Sequence, residues 1–205
     1  MDSNLPKTAT TANLTALLGS RICHDLISPL GAIANGVELL GLSGAHSGPE
    51  LALIAESVTA ANARIRFFRV AFGMAPAEQK IGRAEILSIL DDMTRGARTR
   101  IDWRGPDEAN RKAVKQLFLA LLCLETALPW GGQITVNQQE DGWQVSATSD
   151  RTKIDPRLWA TLTDEEADGN HAPSEVHFAL LREEARLLGR PLSCQTAEGR
   201  ISISL

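Results

Sequence analysis

Seven apolar residues, Leu51, Ile54, Val58, Ala61, Ile65, Phe68 and Phe72, follow one another at steps of 3, 4, 3, 4, 3 and 4. A repeat of about 3.5 residues nearly matches the 3.6-residue turn of an α-helix, so it draws one apolar seam along one helix face. Such a seam needs a partner, because its side chains would otherwise stand in water. Pro49 suits the first turn of this helix, and Arg64, Arg66 and Arg69 lie off the seam. The preceding segment, from about Thr11 to Gly41, is periodic too, with Leu18, Ile22, Leu26, Leu30, Ile33, Val37 and Leu40 on one stripe. Gly41 to Gly48 has the composition of a turn. An antiparallel helical hairpin follows, and two helices alone leave each stripe half covered. The simplest closure is a second copy of the hairpin, giving a dimeric four-helix bundle. An intramolecular alternative, in which the C-terminal half covers the hairpin, stays open.

His24 stands two residues from both Ile22 and Leu26, which at about 100° per residue turns it away from the stripe. Its own face carries Ser20 and Arg21 one turn earlier and Ile27, Ser28 and Gly31 later. Most of these side chains are small, so a second protein has room to approach the imidazole. Pro29 removes a backbone donor inside the helix and is expected to bend it one turn beyond the histidine.

The run HDLISPLGAI, His24 to Ile33, resembles the phosphoacceptor box of two-component histidine kinases: a histidine, an acidic neighbour, a small polar residue four on, then proline and an apolar residue. Asp25, Ser28, Pro29 and Leu30 fill those places. The longer wording SRICHDLISPLGAIANGVELL is closer still to the alphaproteobacterial ChpT family of histidine phosphotransferases, and the similarity extends over nearly the whole chain.

Composition excludes several other classes. Hydrophobic residues at 43% and charged residues at 22% describe a globular chain. The net charge of −4 offers no basic face for nucleic acid. No apolar run approaches the roughly 20 residues needed to cross a bilayer, and the first residues, Met1-Asp2-Ser3-Asn4, lack the pattern of a signal peptide. Cys23, Cys123 and Cys194 show no metal-ligand spacing, and their odd number fits a reducing cytoplasm. A cytoplasmic protein without membrane or nucleic-acid contact is the expectation.

Gly73-Met74-Ala75-Pro76-Ala77 marks the expected boundary between a helical hairpin domain, residues 1–75, and a second domain, residues 76–205. In the second, the pattern predicts helices over 84–95, 110–128 and 174–188, and strands over 99–103, 134–138, 143–148, 192–196 and 201–205. Turns at Glu140-Asp141-Gly142 and Glu198-Gly199 read as hairpins. This order gives an α + α/β chain whose second half is a two-layer α/β sandwich, and it resembles the ATP-binding domain of histidine kinases. The similarity is strongest from Leu117 to Val136, around a Leu-Pro-x-Gly-Gly turn.

Carried over residue by residue, that resemblance puts the kinases' magnesium-binding asparagine at Cys123 and a second asparagine at Leu119, neither a hard oxygen ligand. The Asp-x-Gly-x-Gly adenine box falls near Ser149-Asp150-Arg151-Thr152-Lys153, and the last glycine box near Glu175 and His177, both without glycine. Gly169 is the only glycine between Trp143 and Leu188. A phosphate cradle needs glycines so that backbone amides can approach. The expectation is therefore no nucleotide, no cofactor and no metal site in this chain, with His171 and His177 as ordinary residues.

A nucleophilic histidine without its own nucleotide must be charged from elsewhere, by the acyl phosphate of a receiver-domain aspartate. Magnesium then belongs to the receiver. The resemblance implies that His24 is the phosphoacceptor and that Asp25 orients its imidazole, although neighbours on a helix point about 100° apart. Ser28 shares the face of His24 and is expected to position water or a phosphoryl oxygen, and Arg21 to neutralise phosphate charge. Ser20, Arg21, Ile27 and Gly31 are the expected receiver-docking positions. In this family phosphate passes from the receiver of a CckA-like hybrid kinase to CtrA-like response regulators, and the same relay is implied here. Two other functions remain compatible with the sequence: an ATP-dependent kinase core, and a non-catalytic scaffold for receivers.

Overall fold

Alternating apolar and polar residues over 132–148 and 200–204 put one side chain inward and the next outward, the period of a half-buried strand. The computed structural model describes residues 19, 26–27, 30–42, 49–164, 166–167 and 171–205, and divides the chain into two compact units, Met1–Ala75 and Pro76–Leu205.

In the first unit, residues 30–42 are helical (α1) and α2 runs from Pro49 to Ala71. A Cβ added at Gly19 would lie 3.2 Å from the carbonyl oxygen of Phe72, just past the end of α2. Residues 42 and 49 are seven apart in the chain, so early residues meeting late ones makes the pair antiparallel. Val58, Ala63, Phe67, Val70 and Ala71 are the buried residues of α2. Among the members of the heptad, Val58 is buried, Ile54 is exposed and the other five are half-exposed.

The second unit contains β1 (Lys80–Gly82), α3 (Arg83–Thr94), β2 (Thr99–Arg104), β3 (Glu108–Asn110), α4 (Arg111–Ala127), β4 (Gly132–Gln139), β5 (Gly142–Thr148), α5 (Pro156–Thr163), α6 (Val176–Leu187), β6 (Ser193–Ala197) and β7 (Arg200–Ser204). Five strands form one sheet in the order β2-β4-β5-β7-β6. β2 and β4 are parallel and the other neighbours antiparallel. β1 and β3 form a separate two-stranded ribbon. The register aligns Trp103, Val136, Val145 and Ile203 in one row and Ile101, Ile134, Ala147 and Ile201 in the next, which gives the sheet a continuous apolar face. α3 packs on β2, α4 on β4 and β5, and α5 on β6, so helices form the second layer.

Local signals account for the elements the sequence reading foresaw and for some it did not. Asn110 caps α4 by accepting from the Lys112 amide at 2.9 Å. At Gly131, φ is +94° and an added Cβ would meet the Arg98 carbonyl, so the turn after α4 requires glycine. α5 was not foreseen, although Asp155 caps it and Pro156 occupies its first turn. β1 and β3, at three residues each, are too short to show a period.

Candidate functional site

Of the residues proposed for phosphotransfer, His24, Asp25, Ser28, Ser20 and Arg21 lie outside the described residues, and Ile27 and Gly31 lie within them. Ile27 is helical and half-buried. Gly31 is half-exposed, and among the described residues a Cβ added to it would meet nothing within 4 Å.

Burial at residues 26–27 and along α1 splits the predicted stripe, with Leu30 and Val37 half-buried and Leu26, Ile33 and Leu40 exposed. Ile27, Leu30, Gly31, Ala34 and Val37 are half-buried and recur at helical spacing on one side. Leu26, Ile33 and Leu40, seven residues apart, stand 45%, 48% and 49% exposed. The sequence pattern joins Leu26, Leu30, Ile33, Val37 and Leu40 in one stripe and sets Ile27 and Gly31 on the other face with His24. In the structure Leu30 and Val37 instead share the more buried side with Ile27 and Gly31, while Leu26, Ile33 and Leu40 are exposed.

In the second unit, the positions that resemblance assigned to a nucleotide are engaged with the protein itself. Leu119 and Cys123 are fully buried on α4, and burial pushes the Cys123 thiol well above its usual range, so it stays protonated. The Ser149 hydroxyl lies 2.8 Å from the Gly131 carbonyl and 2.9 Å from the Arg151 carbonyl. The Arg151 guanidinium lies 4.2 Å over the Trp130 ring. Both Glu175 carboxylate oxygens accept from Arg157 at 3.1 Å, and one also accepts from the Ala172 amide. These bonds hold the Glu175 carboxyl below its ordinary range, the backbone bond first.

His177 is buried, and its Nε2 lies 3.2 Å from Thr126 Oγ1 on α4. Thr126 donates its one hydroxyl proton to the Leu122 carbonyl. Oγ1 is then free only to accept, so the imidazole carries its proton on Nε2. Burial lowers the His177 pKa to about 4 against a smaller opposing effect from Glu175, so the ring is neutral near pH 7. The segments that resemblance matched to two nucleotide boxes thus face each other here across a side-chain hydrogen bond. Trp159 on α5 packs edge-on against Phe178 on α6, 5.9 Å between ring centres. Lys115 on α4 and Glu184 on α6 form a largely buried ion pair at 2.5 Å.

Sequence reasoning missed that ion pair and the His177–Thr126 bond. Lys115 and Glu184 are 69 positions apart in the chain, and neither looks unusual without its partner. A charged residue amid the apolar helix 110–128 was the one available signal. Among the described residues, no group of three or more His, Cys, Asp or Glu side chains is placed to hold a metal ion. No helix there is long and apolar enough to cross a membrane.

Comparison with known proteins agrees over most of the chain. The family model of the histidine phosphotransferase C-terminal domain matches residues 83–200. A protein phosphotransferase of Brucella abortus, ChpT, is 34% identical over 191 residues, covering 89% of this chain and 91% of that protein. A solved structure of a bacterial phosphotransferase superposes with a TM-score of 0.67 over 99% of this chain and 98% of that one, at 24% identity, which bears on the fold alone.

Proposed function

The chain belongs to the histidine phosphotransferase family, and on that premise we propose that His24 relays phosphate between receiver domains without help from ATP. The protein is a phosphotransferase of a phosphorelay.

A neutral imidazole nitrogen attacks the phosphorus of a receiver's phospho-aspartate. An N–P bond forms as the P–O bond to the aspartate breaks, and the carboxylate leaves. The same step in reverse, on a second receiver, regenerates free His24. Splitting the transfer in this way replaces one difficult step with two easier ones. Positioning and charge neutralisation supply the catalysis. Asp25 orients the imidazole, Ser28 holds a phosphoryl oxygen and Arg21 offsets its charge. Ser20, Ile27 and Gly31 form the docking surface, and the lack of any described residue within 4 Å of a Cβ added at Gly31 supports that role. Magnesium sits on the receiver, a CckA-like donor or a CtrA-like acceptor.

The observation that carries external charging is the interior of the second unit. Leu119 and Cys123 are fully buried, and His177 is bonded to Thr126, at the positions that would have to open onto a nucleotide. A homodimer is part of the same proposal. Leu26, with Ile33 and Leu40 on α1 and Ile54 at 48% exposure on α2, are exposed residues that a second hairpin would cover in a four-helix bundle.

The test is transfer from a radiolabelled phospho-receiver with magnesium. Wild type is expected to acquire an acid-labile, base-stable label, and His24→Ala to lose it by at least 10³-fold. A label that persists in His24→Ala, or one that arises directly from ATP, overturns the proposal.

A further inference from the structure

A cleft of about 560 Å³ opens at the N-terminal end of α4, bounded by the β4–β5 turn and by Arg190 beyond α6. It shares no residue with the positions that resemblance matched to a nucleotide. A site of this volume accommodates a small metabolite. Its wall is the half-exposed indole of Trp143, backed by the buried Trp103 with 5.4 Å between ring centres. A tryptophan fixed from behind presents a rigid flat face for another ring.

Gln116 also lines this cleft. It is 5% exposed, and among the described residues its carboxamide makes no hydrogen bond. Its carboxamide is not among the fully enclosed unpartnered polar groups, so it reaches the solvent of the cleft and can hydrogen-bond to an occupant. Lys112 lines the cleft one turn earlier and has no ion-pair partner among the described residues. Arg190 reaches only the Asp141 carbonyl, at 3.5 Å. The positive end of the α4 backbone adds to these two cations. Glu140 and Asp141 on the turn bring two carboxylates to the same cleft. Leu205 lines the cleft as well, so the two cations face at least as many carboxylates; the cleft is not net basic, which disfavours a polyphosphate.

We propose that this cleft binds a small aromatic anion, a flat ring bearing one phosphate or one carboxylate. The ring lies on Trp143, its polar edge meets Gln116, and its anionic group lies toward Lys112 and Arg190. The two sources of such chemistry, a nucleoside monophosphate and an aromatic acid, are separated by the choice of probe.

Calorimetric titration of the full-length protein with AMP, anthranilate, inorganic phosphate and MgATP tests the proposal. One of the two aromatic anions is expected to saturate a single site below about 1 mM. Inorganic phosphate and MgATP are expected to bind at least tenfold more weakly. Lys112→Gln and Gln116→Leu are each expected to weaken the aromatic ligand at least tenfold. Both are chosen to preserve the fold, and thermal unfolding of each variant checks that they do. The proposal is overturned if neither aromatic anion binds, if phosphate or MgATP binds as well, or if both folded variants bind like wild type.

Discussion

The two units treat their apolar residues in opposite ways. Eleven large hydrophobic side chains are exposed among the described residues, and seven of them, Leu26, Ile33, Leu39, Leu40, Leu42, Leu53 and Ile54, belong to the smaller helical unit. The sandwich instead buries its sheet face completely at Ile134, Val136, Val145, Ile201 and Ile203 and covers it with Leu117, Leu121, Leu124 and Phe178. A sheet that carries helices on its apolar face closes its own core. A pair of helices with apolar residues on more than one side does not, and it leaves several of them exposed. In a relay protein this separates the tasks: one unit offers surface, and the other is filled with its own side chains.

The strongest challenge to that contrast lies in the sandwich. Glu184→Ala would leave the Lys115 ammonium, with its side chain 8% exposed, without a counter-charge. Removing one member of a buried pair costs about 3–5 kcal/mol, chiefly from the stranded charge. Denaturant unfolding of Glu184→Ala is therefore expected to show a loss near the lower end of that range, since Glu184 retains some solvent contact. The paired change Lys115→Met with Glu184→Leu is expected to restore most of it. If Glu184→Ala matches wild type, the sandwich does not depend on this contact between α4 and α6.

This pair also shows where the sequence stopped being informative. The strands were legible because Ile134, Val136, Val145 and Ala147 alternate with polar residues, and alternation is a local property of the chain. Glycine turns such as Gly131-Gly132 were legible for the same reason. The absence of glycine around Ser149 and Glu175 could be read directly, but what fills that region could not. Trp159 on Phe178, Thr126 on His177 and Lys115 on Glu184 join residues that meet only through the tertiary fold. For the candidate site, the outward helical phase expected of His24 rests on spacing, and its expected role as phosphoacceptor on the resemblance of HDLISPLGAI to the kinase box. The division into a half-buried line through Ile27 and Leu30 and an exposed line through Leu26 and Ile33 could not be read from spacing, because both lines obey the same period.

That exposed line gives the next test. Ile33→Asp and Ile54→Asp place carboxylates on surfaces left uncovered in a single chain, so neither change disturbs a packed interior. If a second copy covers those surfaces, each substitution buries a charge in the assembly. The double variant is expected to weaken self-association at least 100-fold, about 2.8 kcal/mol, as read by sedimentation across a concentration series. An unchanged sedimentation profile would mean that another partner covers these residues.

The smallest expected effect concerns acid, and it again sets the closed sandwich apart from the open helices. His177 titrates at about 4 when folded, because burial disfavours its charged form, and near its ordinary 6.5 when unfolded. Between those values the unfolded chain binds the extra proton, so stability falls as pH drops through this window and is fully present above it. A single proton sets the limit at about 1.4 kcal/mol per pH unit. Thr126 cannot help the imidazolium at Nδ1, since its oxygen already accepts from Nε2. His177→Gln keeps a hydrogen-bonding group facing Thr126 but does not titrate, so its stability curve from pH 6.5 to 4 is expected to be flatter than that of wild type. The comparison is made by chemical denaturation at fixed ionic strength. Parallel curves would show that His177 becomes protonated without first leaving its buried position, and that the contact between α4 and α6 is more open to water than its burial implies.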